Sequence, residues 1–283
     1  MLGHRLLIEL SKGYEVWGTI RSSVDSFPRI TGIDRGRIRG GVDANNFDEM
    51  VRALAGVEPD VVINCIGVVK QHPLCHDPLT ALEINALLPH RLSLLAKSAK
   101  IRLIHFSTDC VFSGKKGTPY LENDQSDAED LYGRTKYLGE ICYGPHTLTL
   151  RTSIIGRELQ TRYGLVEWFL SERKTVRGWQ KAIFSGFTTF TIARILVEYI
   201  LTNPSLAGVY QLSSAAISKY DLLNLLNETY GHGVEVTQDD RFECNRALDS
   251  SRFSAETGFI SPTWPEMIHV MHSDSIPYAD FKT

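Results

Sequence analysis

Residues 59–108 read PDVVINCIGVVKQHPLCHDPLTALEINALLPHRLSLLAKSAKIRLIHFST. Two apolar runs, at 59–67 and 101–108, flank a stretch with helical periodicity at 79–99. Short continuous apolar runs are typical of strands buried on both faces of a sheet. The pattern therefore predicts a strand, a crossover helix bent near Pro89, and a second strand parallel to the first.

The same alternation continues on both sides of this unit. Helical patterns are predicted at 2–12, 46–56 and 129–142, and strands at 15–20 and 146–153. Repeated strand–helix alternation predicts an α/β fold, namely a Rossmann-type doubly wound parallel sheet. We expect an NAD(P)-binding domain at 1–155 and a smaller C-terminal substrate lobe at 156–283, interleaved with the sheet.

The second half of the chain has a less regular pattern. Helices are predicted at 163–173, 189–203, 250–257 and 264–272. A further helix is predicted to begin after Ser218, its N-cap, and a strand is predicted at 208–213. The segment around Gly178 and Gly186, with three aromatic residues, is expected to be a loop.

Composition limits the classes of partner. The chain has 283 residues and a formal net charge of −3, so nothing favours nucleic acid or an anionic membrane surface. It has neither an apolar run of the roughly 18 residues that a membrane span needs nor the pattern of a signal peptide. Five scattered cysteines favour free thiols in a reducing compartment, and we expect a cytoplasmic protein.

The residues YGRTK at 132–136 carry the chemistry that the sequence suggests. Tyr132 and Lys136 are four residues apart and share a helix face, where the lysine charge would lower the pKa of the phenol. Thr108, at the end of the predicted strand 101–108, can hydrogen-bond a substrate carbonyl. The spacing alone decides little, because Tyr278 and Lys282 match the same pattern in the terminal tail.

The stretch FSTDCVFSGKKGTPYLENDQSDAEDLYGRTKYLGE, 106–140, resembles the dTDP-4-dehydrorhamnose reductase family, which are nucleotide-sugar reductases of the extended short-chain dehydrogenase/reductase type. The resemblance extends to PDVVINCIG with EINALLPHRL, to LRTSIIG at 150–156 and to RALDSSRF at 246–253. It implies NADPH- or NADH-dependent reduction of the 4-keto group of a nucleotide-activated 6-deoxysugar, in the synthesis of cell-surface polysaccharide precursors. Tyr132 would donate the proton, Thr108 would bind the reacting oxygen, and Lys136 would tune Tyr132 and hold the nicotinamide ribose.

The resemblance is less complete at the cofactor site than at the catalytic site. Gly3 matches the third glycine of the family's G-x-x-G-x-x-G loop, and we expect the first strand and the first two glycines to be truncated from this sequence. The alternative is a short protein that binds cofactor poorly. Arg21 suits a ribose 2′-phosphate and so favours NADPH, although a solvated loop arginine is an equally simple interpretation. The expected cofactor-binding residues are Gly3, Arg21, Asp43, Ala44, Cys65, Ile66, Gly67, Ser107, Tyr132 and Lys136, and we interpret Cys65 as buried packing.

The substrate is expected to be a nucleotide sugar, held at loops 67–78, 107–128 and 153–162. The expected substrate-binding residues are Gln71, His72, Thr108, Asp109, Ser153, Thr188 and Arg246. Ser153 stands where members of the family often have a tryptophan, so the identity of the sugar stays open. Thr189 could be only a helix N-cap. Arg246 could reach a diphosphate or form a surface salt bridge. His72, Cys75 and His76 are too few ligands for zinc, so no metal is expected.

Two other functions remain open. A nucleotide-sugar epimerase or dehydratase would use the same Thr-Tyr-Lys site, although dehydratases usually place acidic residues after the strand-end threonine. A non-catalytic NAD(P)-binding regulatory subunit would explain an incomplete glycine loop. Such a subunit, however, has no physical need for Thr108, Tyr132 and Lys136 in register. A homodimer is compatible with the sequence.

Overall fold

The computed structural model describes residues 1–282. Its α-helices are α1 (Leu2–Leu10), α2 (Phe47–Ala55), α3 (Pro78–Ala81), α4 (Leu88–Ala99), α5 (Leu131–Leu138), α6 (Leu165–Ser171), α7 (Thr189–Ile195), α8 (Lys219–Tyr230), α9 (Ser251–Thr257) and α10 (Trp264–His272). Its strands are β1 (Gly18–Thr19), β2 (Ile38–Arg39), β3 (Val61–Asn64), β4 (Arg102–Phe106), β5 (Thr147–Arg151), β6 (Ile154–Ile155), β7 (Val176–Phe184), β8 (Phe187–Thr188), β9 (Gly208–Gln211), β10 (Ile217–Ser218) and β11 (Val236–Asn245).

A four-stranded parallel sheet in the order β3-β4-β5-β9 forms the centre of the molecule. It confirms the predicted strand–helix–strand unit. Its last strand comes from beyond residue 155, so the second half of the chain is interleaved with the sheet; the boundary at 155 stays a prediction. β1 and β2 form a separate parallel pair. Within residues 1–282, β1 and β3 each have a ladder partner on one side only.

Apolar helices cover both faces of this sheet, as its nearly continuous apolar strands require. One core cluster joins α1, through Leu2, Leu6 and Leu10, with α7, α8, α10 and one face of the sheet. A second cluster on Leu88, Leu92 and Met50 packs α4 and α2 against Leu103 and Ile101. No helix in the described chain is long and apolar enough to cross a bilayer.

The irregularity predicted near Pro89 lies just before it. Residues Leu82–Leu87 form a π-helical segment between α3 and α4, and Pro89 occupies the first turn of α4. Proline cannot donate to the carbonyl four residues earlier, here that of Asn85, and its ring would clash with that carbonyl. A π turn at this point avoids the i→i+4 bond that the proline cannot make.

The smaller lobe contains the clearest error of the sequence-based prediction. The segment around Gly178, expected to be a loop, lies in β7, which pairs in parallel with β11 and in antiparallel with β10. Neither β7 nor β11 shows a clean alternation of apolar and polar residues in its sequence, and the two strands are distant from each other in the chain. Local periodicity therefore did not predict them. The prediction of Ser218 as the N-cap of α8 is confirmed, because its hydroxyl accepts from the Asp221 amide.

Candidate active site

The carboxyl ends of β3, β4 and β5 lie at one edge of the sheet. The chain leaves β4 directly into Ser107 and Thr108, and leaves β5 into Thr152 and Ser153. In parallel sheets this edge is where ligands bind. The predicted loops after these strands therefore converge there.

Two glycines bring α5, the helix that carries Tyr132 and Lys136, close to its neighbours. A Cβ on Gly133 would lie 2.2 Å from the carbonyl oxygen of Cys110, and one on Gly139 would lie 2.0 Å from that of Asn85. No side chain fits at either position without moving backbone. The glycines of YGRTKYLG thus fix α5 against the turn after Thr108 and against the π-helical segment.

Lys136 is 5% exposed, and its ammonium donates a hydrogen bond of 2.6 Å to the carbonyl oxygen of Phe106. Burial lowers the pKa of Lys136 to about 8, while the charge of Glu140 opposes that shift. The ammonium has three donors and one recorded acceptor. It is therefore suited to hold further acceptors at this edge of the sheet.

The expected lowering of the Tyr132 pKa is wrong for this structure. Tyr132 is half-buried, and burial raises the pKa of its phenol above the usual value near 10, with a smaller opposing effect from the Thr108 hydroxyl. The Lys136 ammonium is instead hydrogen-bonded to the Phe106 carbonyl. Tyr132 is therefore a fully protonated phenol at neutral pH.

The Thr108 hydroxyl caps the turn that follows β4, and its expected bond to a substrate carbonyl stays a prediction. It accepts from the Cys110 amide at 3.1 Å and so caps the short turn Asp109–Val111. It also donates to the Asp109 carboxylate at 3.1 Å, and it lies close enough to Tyr132 to influence that phenol. The structure thus brings Thr108, Asp109 and Tyr132 together, as predicted.

A buried ion pair beside this trio was not predicted. Glu140 accepts from Arg151 Nε at 2.8 Å and from Arg151 Nη2 at 2.7 Å, and both side chains are about 5% exposed. The Ser107 hydroxyl donates to the same carboxylate at 2.6 Å. Ser107, expected at the cofactor, therefore has an internal partner here. The signal was present in YLGE at 137–140 and LRTS at 150–153, whose glutamate and arginine are this pair.

Asn85 is a second residue that the sequence reasoning missed. Its side chain accepts from the Val68 amide at 2.9 Å and donates to the Val68 carbonyl at 3.1 Å. It thereby holds the loop after β3, which contains the predicted Cys65, Ile66 and Gly67. The only sequence signal was its place in EINALLPHRL, four residues before a proline.

The positions expected to bind NADPH fit its two ends differently. At the nicotinamide end, Tyr132 and the incompletely paired Lys136 ammonium are suited to ribose hydroxyls. At the pyrophosphate end, Gly3 lies in the first turn of α1, where a Cβ on Gly3 would meet no other part of the chain within 4 Å and no side chain caps the helix amides. The residues present therefore fit the cofactor. The uncapped amides at the start of α1 are suited to the pyrophosphate, and the glycine loop of the family would supply further amides.

The remaining cofactor positions follow β1, precede α2 or follow β3. Arg21 is exposed just beyond β1, and Asp43, with Ala44, forms the turn into α2, where its backbone amide donates to Glu49 at 2.7 Å. Cys65 is exposed, so its interpretation as buried packing is wrong. It follows β3 and shares its surroundings with the Met1 amino group.

The substrate-side predictions divide into two groups. Gln71 is exposed, Ser153 is half-buried, and His72 packs edge-on against Tyr163, at 5.6 Å between ring centroids. Thr188, by contrast, is fully buried, and it, not Thr189, is the N-cap of α7. Its buried hydroxyl accepts from the Thr191 amide and also bonds the Thr191 hydroxyl, so the geometry gives Thr188 no free group for a substrate.

Arg246 is not the surface salt bridge that was weighed for it. Its Nε donates to the Phe112 carbonyl at 2.7 Å and its Nη1 to the Cys110 sulfur at 3.5 Å. These contacts place it beside the turn after Thr108. The second Tyr-x-x-x-Lys match is elsewhere: Tyr278 bonds His4 and Arg5 of α1, and Lys282 pairs with Glu167.

Comparison with known proteins gives the following relatives. Residues 1–272 match the family described as RmlD substrate binding domain. The chain is 30% identical to a dTDP-4-dehydrorhamnose reductase of Sinorhizobium fredii, over 78% of this chain and 84% of the relative. It is 25% identical to the methionine adenosyltransferase 2 subunit beta of Danio rerio, over 70% and 69% of the two chains.

Its fold is that of solved reductase structures. The dTDP-4-dehydrorhamnose reductase of Bacillus anthracis, solved in complex with NADP, superposes with a TM-score of 0.73 over 83% of this chain and 88% of the other, at 20% identity. The predicted Rossmann-type α/β fold is thus confirmed.

Proposed function

Because the chain belongs to the RmlD substrate-binding-domain family, we propose that it is an NAD(P)H-dependent oxidoreductase that reduces the 4-keto group of a nucleotide-activated 6-deoxysugar. The observation that carries this proposal is the assembly of Thr108, Tyr132 and Lys136 at the carboxyl edge of the sheet. The relative from Sinorhizobium fredii bears the name of such a reductase.

The three side chains divide the work of this reaction. NADPH, when bound, supplies the hydride. Tyr132 holds a proton throughout the neutral range, because burial raises its pKa, and gives it to the alkoxide that develops at C4. Thr108 turns its hydroxyl from Asp109 to the same oxygen and stabilises the growing charge. Lys136 holds the ribose with the ammonium donors that Phe106 leaves free.

The direct test is oxidation of NADPH in the presence of dTDP-4-dehydrorhamnose. We expect Tyr132→Phe to lower kcat at least about 100-fold, the usual contribution of a positioned general acid. Tyr137→Phe is the matched control, because Tyr137 lies on the same helix and is 43% exposed; it should retain the wild-type rate. Equal rates for Tyr132→Phe and the wild type would refute the assignment.

The similarity to a methionine adenosyltransferase subunit favours one other candidate, a regulatory subunit. Such a protein would bind NADPH without turnover. The wild-type chain separates the two in one experiment: NADPH binding together with sugar-dependent oxidation supports the reductase, while binding without oxidation supports the regulatory subunit.

A further inference from the structure

Lys70 is a charged residue beside the catalytic helix that takes no direct part in the proposed chemistry at Tyr132. It lies in the loop after β3, and its ammonium donates to the Asp130 carboxylate at 2.6 Å. Asp130 is the N-cap of α5, two positions before Tyr132. The ion pair therefore joins the loop after β3 to the start of the helix that carries the proton donor.

Asp130 uses its two oxygens for separate purposes. Its Oδ1 accepts from the Gly133 amide at 2.8 Å and so caps α5, while its Oδ2 accepts from Lys70. The bond to the ammonium restricts rotation of the carboxylate and keeps Oδ1 directed at the helix amide. Burial opposes the shift, yet the bonds from Gly133 and Lys70 lower the pKa of Asp130. The cap is therefore charged at neutral pH.

The position of Tyr132 depends on this cap. Tyr132 lies in the first turn of α5, where the backbone amides have no acceptor within the helix. The first turn is held instead by Asp130 and by the close approach of Gly133 to the Cys110 carbonyl. A displacement of about 1 Å at a reacting group can lower a rate about 10²-fold. The rate should therefore respond to any movement of the cap.

The loop that carries Lys70 is itself braced. The Lys70 carbonyl accepts from the Cys75 thiol at 2.9 Å. The Asn85 side chain bonds both the amide and the carbonyl of Val68, and it also donates to the Thr135 hydroxyl of α5 at 3.4 Å. The loop is thus tied to α5 at two points, near the middle of the helix through Asn85 and at its start through Lys70.

Lys70 also lies near the turn that follows Thr108. Burial and the charge of Asp109 raise the pKa of the Cys110 thiol, and the charge of Lys70 opposes them. Three segments of the candidate active site therefore meet around this ammonium: the loop after β3, the turn after β4 and the first turn of α5.

We propose that Lys70 is a positioning residue for Tyr132. Its ion pair with Asp130 holds the cap of α5 in the orientation that directs the phenol at the reacting oxygen. The side chains of the pair are 46% and 37% exposed, so the pair contributes little to folding and acts on geometry instead. The proposal rests on the proposed function, because it takes Tyr132 to be the proton donor.

Oxidation of NADPH with dTDP-4-dehydrorhamnose measures the effect on rate. We expect Lys70→Met to lower kcat about tenfold and to leave KM within about twofold, because the pair orients the phenol and binds no part of the substrate. Lys70→Arg keeps a cation beside the carboxylate and should recover most of kcat. Lys115→Met, which breaks the exposed Lys115–Glu129 pair, should retain the wild-type rate. Wild-type kcat in Lys70→Met would overturn the proposal.

A double-mutant cycle tests whether Lys70 acts through Asp130. Asp130→Asn loses the ion pair but keeps a side chain that caps helices as well as aspartate does. It should lower kcat to the same extent as Lys70→Met, and the double variant should be no slower than either single variant. Losses that multiply in the double variant would show that the two residues act independently, against the proposal.

Hydrogen exchange separates this proposal from the proposed function, because it needs no turnover. Lys70→Met should speed exchange of the Gly133 amide about fivefold and leave the urea midpoint at the wild-type value. If the wild type oxidises no NADPH with the sugar while Lys70→Met still speeds this exchange, only the reductase assignment fails. If the wild type is active while Lys70→Met changes neither exchange nor kcat, only the role of Lys70 fails.

Discussion

Glu140 accepts two hydrogen bonds from Arg151, at 2.8 Å from Nε and 2.7 Å from Nη2, just beyond the helix that carries Tyr132 and Lys136. The pair is buried, and Ser107 donates to the same carboxylate. It therefore connects the ends of β4 and β5 to the end of α5. Its state should govern both stability and catalytic geometry.

Removal of one partner from this pair leaves a buried charge without compensation. We expect Arg151→Met to lower the free energy of unfolding by about 3–5 kcal/mol, measured by urea denaturation. Glu140→Gln together with Arg151→Met should recover part of that loss. As the control, Glu198→Gln breaks the exposed Arg194–Glu198 pair and should cost no more than about 0.5 kcal/mol. An equally small effect for Arg151→Met would show that the buried pair is not required.

A methyl group at Gly133 should separate α5 from the catalytic turn. Its Cβ would lie 2.2 Å from the Cys110 carbonyl, so Gly133→Ala requires backbone movement. We expect a loss of about 1–3 kcal/mol in stability and a larger relative loss of kcat, because Tyr132 moves with the helix. Gly13→Ala, where nothing lies within 4 Å, should leave both unchanged. Wild-type stability and kcat in Gly133→Ala would argue against this close approach.

Burial of Lys136 should appear in the pH dependence of stability. Its folded pKa is about 8 and its reference value is 10.5, so between these values the unfolded chain holds one more proton than the folded chain. Stability from this group therefore rises with pH across that interval, and its cost is fully present below pH 8. We expect Lys136→Met to stabilise the fold near pH 7 by up to about 3 kcal/mol.

The advantage of Lys136→Met should shrink steadily as the pH rises from 8 toward 10.5, while activity is lost at every pH. Lys174→Met, which removes an exposed lysine, should show no such trend. Unfolding curves across this pH range provide the measurement. A constant difference between Lys136→Met and the wild type would mean that the lysine is not desolvated.

The Thr108 hydroxyl should matter more for rate than for folding. Thr108→Val removes the cap of the turn at 109–111, which costs about 1 kcal/mol, and removes the donor to the reacting oxygen, which should lower kcat about 10²–10³-fold. Thr108→Ser keeps a hydroxyl at the same place and should recover most of the rate. If Thr108→Val loses only stability, the hydroxyl serves the turn alone.

The catalytic half of the site could be predicted because its signals are local. A helix brings Tyr132 and Lys136 to one face by spacing alone, and a buried strand ends where Thr108 begins. The partner of the Lys136 ammonium could not be predicted, because Phe106 is thirty residues away along the chain and its carbonyl has no sequence signature. The resulting error in the Tyr132 pKa came from that contact and from burial, which local sequence does not report.

The sequence by itself determined the parallel α/β sheet, most helix positions and the Thr-Tyr-Lys trio, since hydrophobic period and short-range spacing encode them. The tertiary structure decided what depends on separate chain segments meeting: the pairing of β7 with β11, the bonds of the Asn85 side chain to Val68, the Glu140–Arg151 pair, and the meeting of Lys219 with Trp179. Those contacts form only when separate helices, strands and loops pack together, because each partner lacks its counterpart within its own element.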